Sequence, residues 1–111
     1  MSGADSNRML TGTASQVEWA ERIRLSVDRE FDRLANAFEA VALKQKQSDR
    51  AETQTVIALL EEKRAETMAH DQAGYFIRNW QELSDQVRRM IIEDHRYQAI
   101  YTKRLARVPR V

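Results

Sequence analysis

Cysteine is absent from the chain, which removes disulfides, thiolate nucleophiles and zinc–thiolate sites together. Glycine occurs three times and proline once among 111 residues, too few for the many turns of a sheet protein. No apolar run reaches the roughly 18 residues of a membrane span. The N-terminus also lacks the basic-then-apolar pattern of a secretory signal, so a cytoplasmic location is expected. There is no glycine-rich phosphate loop, and no serine or threonine stands in a pattern that supplies it with a base. Histidine, the side chain best suited to acid–base work at neutral pH, occurs only as His70 and His95. Glu66 precedes His70 by four residues, and Glu93-Asp94-His95 clusters three possible ligands. A carboxylate-bridged dimetal site needs Glu-x-x-His pairs on two helices, and neither segment has that spacing. The expectation is a protein without enzymatic activity, metal or cofactor.

What the chain does have is charge, 32% of its residues, and long apolar stripes at helical spacing. Residues 1–12 show no apolar period and read as a flexible leader, 13–108 as a single helical domain, and 109–111, from Pro109 onward, as a tail. Thr13 and Gln16 fit a capping box, and Ser15 with Glu18 offers the same arrangement two residues later. Val17, Ala20, Ile23, Val27, Phe31, Leu34, Ala35, Phe38, Val41 and Ala42 then fall within an arc of roughly 120°, which predicts a first helix over about 14–46. Residues 44–50 are polar and hold no Gly or Pro to enforce a break, so a continuous helix stays open, but the apolar face beyond them is rotated by about 70°, which favours a break there. Ser48 or Asp49 is placed to cap a second helix over about 49–69, with Glu52 completing a box. Its stripe is the weakest of the three: Val56, Ile57, Leu60 and Met68, diluted by Thr53, Arg64 and Thr67. Asp71 caps a third helix whose face carries Ala73, Phe76, Ile77, Trp80, Leu83, Val87, Met90 and Ile91, then Tyr97, Tyr101 and Leu105. The predicted fold is all-α: a three-helix antiparallel bundle, or a helical hairpin with an extended third helix.

One stretch, Leu10-Thr11-Gly12-Thr13-Ala14-Ser15-Gln16-Val17-Glu18-Trp19-Ala20-Glu21-Arg22-Ile23-Arg24, resembles a known opening motif, roughly L-T-G-S-x-x-Q-x-x-W-A-x-x-I-R. That motif begins many short uncharacterised bacterial and phage- or plasmid-borne proteins. They often carry a second segment, A-x-aromatic-aromatic-I-x-x-R, to which Ala73-Gly74-Tyr75-Phe76-Ile77-Arg78-Asn79-Trp80 is similar, with Trp80 in place of the usual basic residue. Together the two segments cover about a quarter of the chain. The resemblance implies helical segments and a mobile-element context, and no activity.

Two surfaces carry the functional expectations. The long stripes of the first and third helices exceed what a weak second helix covers, which predicts a homodimer. Its interface residues would be Trp19, Ile23, Val27, Phe31, Leu34, Phe38, Phe76, Trp80, Val87 and Ile91. Trp19, at the edge of the first arc, is placed either to close a core or to anchor a partner. Leu25 and Leu43 share the charged back of the same helix and could mark a second contact surface. Arg24 and Asp94 lie inside apolar arcs, where the alternatives are snorkelling and a shifted stripe, or polar pairing across helices that fixes register. The function expected is that of an accessory or adaptor protein binding another, unidentified protein. The alternative follows from charge. Residues 1–71 hold 10 Lys/Arg against 13 Asp/Glu (−3), whereas 72–111 hold 8 against 4 (+4). Arg96, Lys103, Arg104, Arg107 and Arg110, interleaved with Tyr97 and Tyr101, could then meet a nucleic-acid backbone. A sequence pI near 8.1 is low for a dedicated binder.

Overall fold

A computed structural model describes residues 9–107 as five helices: α1 (Ala14–Ala42), α2 (Gln47–Met68), α3 (Ala73–Asn79), α4 (Leu83–Ile92) and α5 (His95–Arg107). The protein is all-α, and among the described residues no helix is long and apolar enough to cross a membrane. Residues 1–8 and 108–111, most of the expected leader and the whole tail, lie outside the described residues.

The expected capping box opens α1. Thr13 Oγ1 accepts from the Gln16 amide at 3.2 Å, and Gln16 Oε1 accepts from the Thr13 amide at 3.0 Å. The helix ends at Ala42, short of the expected residue 46, because Arg50 caps it from outside. The Arg50 guanidinium donates to the carbonyls of Ala42 (3.0 Å) and Gln45 (3.2 Å), satisfying acceptors that a longer helix would have used. Neither Ser48 nor Asp49 caps α2. Lys46 holds the N-cap position without a side-chain bond, and Asp49 lies in the first turn, where a carboxylate complements the helix dipole.

The weak second helix is the central one. Thr53, Val56, Leu59, Leu60, Thr67 and Met68 are all buried on it, an arc wider than the apolar residues alone mark. Two threonines can be buried because each hydroxyl is bonded: Thr53 donates to Gln45 Oε1 at 2.6 Å and Thr67 to the Lys63 carbonyl at 2.8 Å. α1 packs on one side of α2, and α4 and α5 meet it elsewhere along its length.

The expected single third helix is instead α3, α4 and α5 in succession. They ascend beside α1: Ala73 meets Gly12, Trp80 meets Phe31 with ring centroids 6.3 Å apart, and Tyr97 joins Leu34 and Phe38. They descend relative to α2, with Asp94 at Lys63, Arg96 at Glu62 and Arg104 at Glu52. The first break places Trp80 at the α3 C-cap with φ −121° and ψ 48°, its ring buried. At the second, Asp94 Oδ1 accepts from the Arg96 amide at 2.9 Å, an N-cap for α5. The result is an elongated body of 59 × 29 × 19 Å.

Residues 10–12, expected within the leader, are held in place. Leu10 is buried, the Thr11 amide donates to the Asp71 carbonyl at 2.7 Å, and the Ala73 amide donates to the Thr11 carbonyl at 2.9 Å. Asp71 is therefore an anchor for Thr11, and Gln72 takes the cap position of α3. Gly12 has φ +150° and approaches Ala73 closely. The two segments that carry the motif thus pack on each other.

Candidate interaction site

The residues expected to meet a second copy mostly face inward. Val27, Phe31, Phe76, Trp80, Val87 and Ile91 are buried in one core within the chain, and Ile23, Leu34 and Phe38 pack half-buried against it. At these six positions the chain covers its own stripes, because the third segment folds back along α1 and α2. Trp19 stays 57% exposed and does not close the core. Leu25 and Leu43 are both exposed, as their position on the back of α1 implied.

Three members of the basic run, Arg96, Lys103 and Arg104, are bound internally. Arg96 donates to Glu62 through Nη1 (3.1 Å) and Nη2 (2.5 Å), and to Asp94 through Nε (3.0 Å) and Nη2 (2.9 Å). Lys63 reaches the same Asp94 carboxylate at 3.2 Å. The Asp94 side chain is only 6% exposed, and the Arg96 hydrogen bonds hold its carboxyl well below the usual range despite the opposing effect of burial. Glu62 is lowered chiefly by the same guanidinium. Near the other end of α5, Arg104 donates to Glu52 (3.0 Å), the Asp49 carbonyl (3.2 Å) and Thr53 (3.2 Å), and Lys103 lies 3.6 Å from Glu52. The basic face of α5 is thus a clasp onto α2. Arg110 and the Arg107 side chain lie outside the described residues. Of the two polar positions in apolar arcs, Asp94 pairs across helices, whereas Arg24 pairs with Glu21 on its own helix at 2.8 Å.

Two features were not expected from the sequence. The first is an exposed apolar end. Arg104 sits on the first turns of α2, and Thr53 there bonds Gln45 just past α1, so the ends of α1 and α5 lie at one end of the molecule. Val41, Leu43, Tyr101 and Leu105 are exposed there, Leu43 at 80% and the two α5 residues at 55% each. Tyr101 stacks on Tyr97 with centroids 6.4 Å apart. The second is a cleft of about 270 Å³ between α1, α4 and the foot of α5. Leu34, Phe38, Leu60, Ile91, Ile92 and Tyr97 give it apolar walls. Its polar groups are Glu30, Arg33, Ser84 and Arg88. Glu30 is held by Arg33 through two hydrogen bonds of 3.0 and 2.6 Å, which with help from Ser84 lower its pKa against desolvation. Among the described residues no three His, Asp or Glu side chains group as a metal site would require.

Comparison of the chain with protein families, with curated proteins and with solved structures returns no match.

Proposed function

We propose that this chain is a non-enzymatic helical interaction protein that self-associates through its apolar end, as an accessory or adaptor to another protein. One observation carries the reading: Val41, Leu43, Tyr101 and Leu105 are exposed together at one end of the molecule, whereas the other exposed large apolar side chains, Met9, Trp19, Leu25 and Ile92, lie elsewhere along the chain. Tyrosine suits such a role, since it offers a large rigid surface at low entropic cost and keeps a polar tip in water. The formal net charge of +1 puts little overall repulsion between copies. The nucleic-acid alternative is disfavoured, because Arg96, Lys103 and Arg104 already hold carboxylates and would have to release them to meet phosphates.

Sedimentation equilibrium across a wide concentration range tests the reading. Self-association is expected for the wild type and its loss for Tyr101→Asp with Leu105→Asp, with the helical circular dichroism retained because both side chains are exposed. A wild type that stays monomeric throughout overturns it.

A further inference from the structure

The cleft between α1, α4 and α5 adjoins the apolar end through the stack of Tyr97 on Tyr101, and its chemistry differs. Its walls are aliphatic and aromatic, and its polar groups come from Glu30 and Arg33 of α1 and Ser84 and Arg88 of α4. A cavity with such walls gives few partners to water, which needs two to four polar contacts to settle. It therefore suits a chain that is apolar along its length and polar at one tip.

The rim decides the sign of that tip. Arg33 is committed to Glu30 by two hydrogen bonds, so this pair is internally neutral. Arg88 is exposed and has no carboxylate partner among the described residues. The rim therefore carries one uncompensated positive charge, on a guanidinium whose fork matches a carboxylate. A cationic tip would have to pull Glu30 away from Arg33. The volume bounds the length. At about 270 Å³ the cleft lies at the small end of ligand pockets, which favours a chain of medium length over a long one.

We propose that this cleft binds a medium-chain alkyl carboxylate, with the tail between Phe38, Ile91 and Tyr97 and the carboxylate on Arg88. Titration of the full chain with decanoate, kept below its micelle concentration and followed by amide shifts, tests it. Decanoate should shift the amides around Phe38, Ile91 and Tyr97. Arg88→Gln should weaken it at least tenfold while leaving decanol, which has the tail without the charge, unaffected. Ile92→Asp, a charge placed in the wall at an exposed position, should abolish both. Absence of decanoate binding to the wild type overturns the proposal, as does binding that Arg88→Gln leaves unchanged. Dissociation of a wild-type dimer by Ile92→Asp without any decanoate binding overturns it too, and gives the cleft to a second copy.

Discussion

Asp94 shows how one side chain can hold several parts of a fold together. Its carboxylate caps α5, receives Arg96, and reaches across to Lys63 on α2. Asp94→Ala should lower stability in denaturant unfolding by about 1–2 kcal/mol, the upper part of the usual range for a lost N-cap. Asp94→Asn should lose less, since an asparagine oxygen still caps. Gly12 is the other residue with no freedom to change. An added methyl at φ +150° would stand 3.1 Å from Gln16 Oε1 and 3.2 Å from the Ala73 methyl. Gly12→Ala should therefore cost more than about 1 kcal/mol by thermal or denaturant unfolding. The capping box of Thr13 and Gln16 was legible from residue types and spacing alone. The role of Asp94 was not, because a carboxylate inside an apolar arc looks the same in sequence whether it interrupts a stripe or begins a new helix. Only the position of Lys63, 31 residues earlier, distinguishes the two.

At the scale of elements, α1 was readable because its partners lie on one side, so that burial and periodicity coincide. The second helix reads as weak for the opposite reason. It is covered over a wide arc, and its buried threonines, satisfied by Gln45 and Lys63, dilute the very pattern that marks burial in an outer helix. The segmentation of the last forty residues left no glycine or proline signal. Helix α5 is held to α2 largely by charge, so acid should loosen it first. Asp94 and Glu62 are both depressed in the folded state, so their contribution is fully present above the ordinary carboxylate range near about 4 and is lost as pH falls through their lower folded values. Amide exchange within 95–107 should accelerate below pH of about 4 before that of α1 does. Uniform acceleration over both helices would remove the clasp as a separate element.

At the scale of the whole molecule, the apolar periodicity matches burial along most of α1 and from Ala73 to Ile91, misses Leu59 on α2, marks the exposed Val41, Tyr101 and Leu105, and is silent about which chain does the burying. A stripe on a long helix can be covered by a second copy or by the same chain doubling back, and the pattern is identical in both cases. The folding-back of α3–α5 changes what a core substitution should do. Phe31→Ala should reduce stability by about 3–5 kcal/mol, as truncation of a fully buried aromatic does, and should not act on association as such. The exposed end at Val41, Leu43, Tyr101 and Leu105 was illegible for a related reason: Tyr101 and Leu105 continue a stripe that is buried up to Ile91, and nothing local marks where the cover ends. An isotope-filtered nuclear Overhauser experiment on a mixture of labelled and unlabelled chains separates contacts within a copy from contacts between copies. Intermolecular signals are predicted at Tyr101 and Leu105, with those of Phe31, Phe76 and Val87 purely intramolecular. Intermolecular signals from Phe31 or Phe76 would contradict the account, because they would mean that two copies share the core that one chain is held here to close by itself.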